Sequence, residues 1–199
     1  MTCIVAIKQD NTVVMAADGL VVNSNDQKID NYRSKIIRLE GALVGLAGST
    51  VLCSMFDSII RANAGVKNAI EGIRSHADAI EAMSLITAQA KTILEQFIGK
   101  DLLDKYAAII VANRHGVWDI DSEGDIFSPD STMCGDQVMR FRAIGQGRIA
   151  AEAFLHGTIT YRASLPSLRG LARAAVITAS TFYTGCGPCW SLEELTFEE

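Results

Sequence analysis

Thr2-Cys3-Ile4-Val5-Ala6-Ile7-Lys8-Gln9-Asp10-Asn11-Thr12-Val13-Val14-Met15-Ala16-Ala17-Asp18 holds two apolar, β-branched runs, 2–8 and 11–17, joined at the polar Gln9-Asp10-Asn11. Such runs, bounded by turn residues, read as a β-hairpin with a short turn. Asp18-Gly19 ends the second strand, Leu20-Val21-Val22 continues extended, and residues 23–31 are a polar loop. Lys35-Ile36-Ile37-Arg38-Leu39 and Ala42-Leu43-Val44-Gly45-Leu46-Ala47 form a second strand pair around Glu40-Gly41. The chain therefore opens with roughly four to five short strands.

Gly48-Ser49 hands over to helix, with Ser49 or Thr50 as N-cap and Val51, Leu52, Met55, Ile59 and Ile60 at helical spacing. A second helix is predicted over 77–97, with Ile80, Met83, Ile86, Ala90, Ile93, Leu94 and Phe97 on one face. Strands return at 107–112 and 116–120, with shorter ones near 124–128 and 140–144. Helices follow at 147–156 and 167–182, and a last strand at 190–197. Strands, two helices, strands, two helices, strand is not a Rossmann alternation. It favours an α+β class in which two sheets are sandwiched between helix pairs. No linker, repeat or low-complexity segment interrupts 1–199, so one domain is expected.

The 199 residues are 49% hydrophobic and 21% charged, with a net charge of −5. That balance suits a globular chain with a substantial core. The absence of a basic run argues against nucleic acid or anionic lipid as partner. The absence of a long apolar stretch argues against a membrane span. No basic, then apolar, then small-residue pattern opens the chain, so a cytoplasmic location with reduced cysteines is expected. Cys3, Cys53 and Cys134 read as small buried hydrophobes.

Thr2 is the residue on which chemistry can be built. Removal of Met1 is expected because Thr is small, and it leaves a hydroxyl nucleophile and a free α-amine on one residue. The amine can serve as general base for the hydroxyl. A neighbouring cation favours the reaction, and Lys35 heads the strand best placed to supply it. Asp18 can orient Lys35 by a charge-assisted hydrogen bond. An oxyanion needs backbone N–H donors, and the strand-to-helix turn Gly45-Leu46-Ala47-Gly48-Ser49 offers them.

Thr2, Ala16-Ala17-Asp18-Gly19, Lys35-Ile36 and Gly45-Leu46-Ala47-Gly48 together resemble the proteasome β-subunit family, in its bacterial branch of HslV-type peptidases and bacterial proteasome homologues. The spacing from Thr2 to Asp18 to Lys35 fits that pattern to within one residue. The similarity runs nearly the whole chain, to Ser191-Leu192-Glu193-Glu194-Leu195. The resemblance implies a four-layer αββα sandwich of the N-terminal-nucleophile hydrolase type. It implies a threonine endopeptidase with Thr2 as nucleophile, Lys35 tuning it, Asp18 behind Lys35, and the Gly48 N–H in the oxyanion hole. It implies that Val22 and Leu46 contact the substrate, with an apolar preference, and that no cofactor or metal is needed. The partners implied are polypeptide substrates, a homo-oligomeric double ring of about 12–14 subunits, and an AAA+ unfoldase.

Two departures stand against the family pattern. Its Gly-Ser-Gly turn near the nucleophile is Gly145-Gln146-Gly147 here. Its acid in the last helix is missing from Thr178-Ala179-Ser180-Thr181. Gln146, Ser180 and Thr181 remain as uncharged supporting groups, and a catalytically weak or inactive ring is the alternative reading.

Cys186-Gly187-Pro188-Cys189 has the spacing of a thiol–disulfide motif. That chemistry expects a strand before the first Cys and a helix after it, whereas here a helix precedes and a strand follows. A structural turn is the better reading, with a redox role as the lesser alternative. A zinc site would need two further ligands at matching spacing. His76, His115 and His156 are scattered, and Asp119, Asp121, Glu123 and Asp125 read as a solvated loop rather than a calcium site.

Overall fold

β1 (Ile4–Gln9) and β2 (Thr12–Asp18) form the expected hairpin, with Ile4 opposite Ala17 and Gln9 opposite Thr12. The computed structural model describes residues 2–22, 28–29, 34–97, 107–121, 125–127, 129–134, 137–161 and 167–198. Within these, β3 (Val21–Val22) and β4 (Lys28–Ile29) make a small antiparallel ladder. β4 thus lies inside the stretch expected to be loop. β5 (Ile36–Arg38) and β6 (Ala42–Gly48) follow. Helices α1 (Thr50–Ala62), α2 (Ala64–Glu71) and α3 (His76–Phe97) come next. Strands β7 (Ala107–Asn113), β8 (Val117–Asp121), β9 (Ile126–Phe127), β10 (Asp130–Cys134) and β11 (Gln137–Ile144) precede α4 (Arg148–Tyr161), α5 (Leu168–Phe182) and β12 (Cys189–Thr196).

Two antiparallel five-stranded sheets result, ordered β10-β11-β1-β2-β12 and β5-β6-β7-β8-β9. Side chains sort by strand parity. Cys3, Val5, Ile7, Val14 and Ala16 pack under α4 and α5, while Ile4, Ala6, Val13, Met15 and Ala17 face the other sheet. In β7, Ala107, Ile109 and Val111 face α1–α3, while Ala108, Ile110 and Ala112 face the first sheet. Burial on both faces is why these runs are continuously apolar rather than alternating. The layers are helix, sheet, sheet, helix: the expected αββα sandwich.

Several expectations are corrected. A helix, α2, stands between the two expected first helices. Asn63 closes α1 and its side chain accepts the Val66 N–H to cap α2. Ile80 is not on the buried stripe of α3 but 53% exposed; Ala79, Ala82, Met83, Ile86 and Ala90 form that stripe. The side chains of Leu94 and Phe97 lie outside the described residues, as does Cys134's. β10 was not expected. Its half-polar sequence reads as loop, and it is held as an edge strand by β11.

Asp119 and Asp121 are buried, not solvated; Glu123 lies outside the described residues. Asp119 Oδ2 accepts from Arg142 Nε at 3.1 Å, tying the second sheet to the first. Burial pushes the Asp119 carboxyl up to about 6 despite this partner. A carboxyl raised on folding holds its proton more tightly in the folded state. Its contribution to stability is therefore lost as pH rises from the ordinary carboxylate range through about 6. Asp119→Asn is expected to lower the unfolding free energy at acid pH relative to that at neutral pH by up to about 3 kcal/mol compared with the parent. Urea unfolding of parent and variant on either side of that window checks it. An unchanged difference refutes it.

Candidate active site

Asp18 is the last residue of β2 and Lys35 directly precedes β5, so each hangs from a strand end. The hairpin places Cys3 beside Asp18, whose N–H donates to the Cys3 carbonyl at 3.0 Å. Leu46 N–H donates to the Lys35 carbonyl at 3.1 Å, fixing the Lys35 backbone against β6. The facing sheets thereby bring Thr2, Asp18 and Lys35 to one edge of the sandwich.

There they form a chain. Lys35 Nζ donates to Thr2 Oγ1 at 2.8 Å, to Asp18 Oδ1 at 3.0 Å and to the Leu20 carbonyl at 2.8 Å. These three acceptors match the three donors of an ammonium. Asp18 is completely buried. Its Oδ1 also accepts the Cys3 N–H at 2.8 Å, and its Oδ2 accepts the N–H groups of Leu20 and Gly187, each at 3.1 Å. Four donors on two oxygens leave the carboxylate no freedom to turn. A buried ion pair needs this kind of completion to offset its desolvation.

Thr2 and Lys35 open onto a cleft of about 640 Å³, counting the space open to solvent. Its wall includes Leu20, Val21, Ile37, Leu46 and Gly48, and the α1 residues Thr50, Cys53 and Asp57. Gly48 ends β6 with φ 124°, a conformation that L side chains avoid. Leu46 is in the wall as expected. For the other expected contact, it is the β3 neighbour Val21 that lines the cleft; the side chain of Val22 lies outside the described residues. Cys53, expected in the core, is half-buried on the cleft wall.

The turn Gly145-Gln146-Gly147 lies against Thr2. Gly147 N–H donates to the Thr2 carbonyl at 3.3 Å. Gly145 has φ 86°, and a Cβ there would sit 2.3 Å from the Thr2 carbonyl oxygen. Gln146 is exposed at the apex of the turn. Ser180 and Thr181 are not brought to Thr2. Both hydroxyls donate to the Ile177 carbonyl of their own helix, at 2.7 and 3.1 Å.

The surroundings of Cys186 and Cys189 do not favour thiol chemistry. Burial pushes the Cys186 thiol up to about 11 and also raises Cys189. Reactive cysteines are shifted the other way, in electropositive, accessible sites. The motif follows α5 and runs into β12, with no helix after its first Cys.

Three partners of the site were not legible beforehand. The Leu20 carbonyl and the Gly187 N–H are backbone groups, and nothing in their residue type announces them. Gly145 was visible only as part of a turn, not as a close contact of Thr2.

The model of the proteasome subunit family matches residues 1–183. Among solved structures, eukaryotic HslV from Trypanosoma brucei superposes with a TM-score of 0.71 at 21% identity, covering 98% of this chain and 99% of that one. BPH from Thiobacillus denitrificans in complex with epoxomicin gives 0.71 at 19% identity, covering 98% of each. BPH alone gives 0.69 at 18%, covering 98% and 97%. A search by sequence among curated proteins gave no match. With a family match over nearly the whole sequence and the same fold in these relatives, the chain belongs to the proteasome subunit family.

Proposed function

We propose that this chain is a threonine-type endopeptidase acting through Thr2. The observation that carries the reading is the Lys35 ammonium bridging Thr2 Oγ1 at 2.8 Å and Asp18 Oδ1 at 3.0 Å in the wall of an open cleft. With Met1 removed, the Thr2 amine takes the hydroxyl proton as Oγ1 attacks the peptide carbonyl carbon. Lys35 favours the developing negative charge on Oγ1. The carbonyl oxygen becomes an oxyanion, for which the Gly48 N–H is the donor. Collapse of the tetrahedral intermediate breaks the C–N bond, and the leaving amine carries off the proton. An ester on Thr2 remains. Water, deprotonated by the same amine, hydrolyses it and restores the hydroxyl.

Leu20, Val21, Ile37 and Leu46 give the cleft an apolar patch beside polar groups such as Thr50 and Asp57, and that patch supports a preference for apolar substrate side chains. Family membership supports a stacked double ring with the clefts facing a chamber, fed by an AAA+ unfoldase, in the cytoplasm. Thr2→Ala is expected to bring hydrolysis of short apolar peptides to background in an assembled protein. A Thr2→Ala protein that cleaves like the parent would refute the reading.

A second reading, a ring that assembles without cleaving, is favoured by one observation. Ser180 and Thr181 spend their hydroxyls on Ile177, and the end of α5 offers no acid to hold an amine on Thr2. A parent protein that assembles but cleaves no peptide selects this reading.

A further inference from the structure

The Cys186-Gly187-Pro188-Cys189 turn takes no part in the steps above, yet it touches the site in three places. Gly187 N–H donates to Asp18 Oδ2 at 3.1 Å. Gly19 N–H donates to the Pro188 carbonyl at 3.3 Å, so the turn also grips the residue after Asp18. Cys186 packs at Gly147: a Cβ at Gly147 would lie 3.0 Å from Cys186 Sγ and 2.8 Å from Cys3 Cβ. Gly147 in turn donates to the Thr2 carbonyl. One turn thus braces both ends of the Thr2–Lys35–Asp18 chain.

We propose that Gly187 is a positioning residue of the active site: its amide, delivered by the Cys186–Cys189 turn, orients the Asp18 carboxylate so that Lys35 stays on Thr2. This rests on the peptidase reading. Of the four donors to Asp18, Cys3 and Leu20 belong to the same hairpin and its extension, and Lys35 is the catalytic partner. Gly187 arrives from 169 residues away. Without it, Oδ2 keeps one donor, the Leu20 N–H, and the carboxylate is held less firmly with Oδ1 toward Lys35. Glycine is required for the approach, because a Cβ at 187 would stand 2.7 Å from Leu20 Cβ and 3.2 Å from Leu20 N. Pro188 fixes its own φ and keeps the carbonyl that Gly19 uses. Of the two thiols only that of Cys186 braces the site by packing: it is buried, and burial keeps it protonated.

The test compares full-length parent, Gly187→Ala and Cys189→Ser in peptide hydrolysis, with native mass and circular dichroism as fold checks. Gly187→Ala is expected to lower kcat by about tenfold or more with KM unchanged. A less compensated Asp18 raises the pKa of a neighbouring base, so the acidic limb of the pH–rate profile moves to higher pH. Among the described residues the Cys189 thiol donates to the Ser191 carbonyl rather than to Asp18, and Cys189→Ser keeps both kcat and the profile. A folded Gly187→Ala protein with parental kcat and profile overturns the proposal. If the parent cleaves nothing, or Gly187→Ala does not fold, amide hydrogen exchange decides. Asp18→Asn turns one acceptor oxygen into a donor, so exchange of segment 185–189 quickens by about tenfold while 107–113 is unchanged. Parental exchange in 185–189 overturns the proposal, whereas an inactive parent with quickened exchange overturns only the peptidase reading.

Discussion

Lys35→Ala is expected to lower kcat/KM for peptide hydrolysis by at least about 10³-fold, because groups that act as one unit lose most of their effect when any member goes. Lys35 bridges Thr2 Oγ1 and Asp18 through one ammonium. Its loss leaves the hydroxyl without a cation and Asp18 buried without a counter-charge. The amides of Cys3, Leu20 and Gly187 still satisfy the carboxylate, so the variant keeps its fold at a cost in stability. Lys35→Arg is not expected to rescue activity. The ammonium serves three acceptors from a single point, whereas a guanidinium is a planar fork that cannot reproduce that arrangement. Steady-state hydrolysis of an apolar peptide checks this, with native mass as the control. Activity in Lys35→Ala within tenfold of the parent would show that the cation is dispensable.

Gly145→Ala is expected to damage stability and activity together. The residue sits at φ 86°, which costs an L side chain about 1 kcal/mol or more. The added Cβ would lie 2.3 Å from the Thr2 carbonyl oxygen and 2.9 Å from its carbon. Backbone must shift to relieve that contact, at a further cost of about 1–3 kcal/mol. For a chain of this size the total predicts a fall in Tm of roughly 5–10 °C. The displaced atoms belong to Thr2, the proposed nucleophile, and a shift of about 1 Å there can cost 10²-fold in rate. Thermal unfolding and kcat measured on one preparation test both parts. A stable variant with parental kcat would mean that the turn does not set the position of Thr2.

The parts of the molecule legible in the sequence were those where residue type and position carry the same message. The runs 4–7 and 13–17 are apolar because both faces of each strand are covered. Polar residues stand at strand ends beside the cleft: Asp18 closes the second run, and Lys35, just before β5, lines the cleft itself. Residues that depend on a distant neighbour were not legible. Asp119 looks like a member of an acidic loop until Arg142 is placed against it. Ile80 fits the helical spacing of Met83, Ile86 and Ala90, but Ala79 and Ala82 complete the packed face of α3 and Ile80 points to solvent. α2 is too short to show a stripe, and it depends on the Asn63 cap. Thr2, Asp18, Lys35, Leu46 and Gly48 are singled out by type and order, and the fold places them in or beside one cleft. Gly187 and the Leu20 carbonyl act through backbone atoms, which sequence does not distinguish. Ser180 and Thr181 were credible by type, and their own helix claims them.

The central claim is that Thr2 is an N-terminal nucleophile. Intact mass of the native protein, before and after treatment with an epoxyketone inhibitor, tests it most directly, because one measurement reads both the N-terminus and any covalent adduct on Thr2. The account predicts a chain that begins at Thr2 and gains the mass of one inhibitor, with the adduct mapped by fragmentation to Thr2. A chain that retains Met1, or one that cleaves peptides while Thr2 stays unmodified, would contradict it.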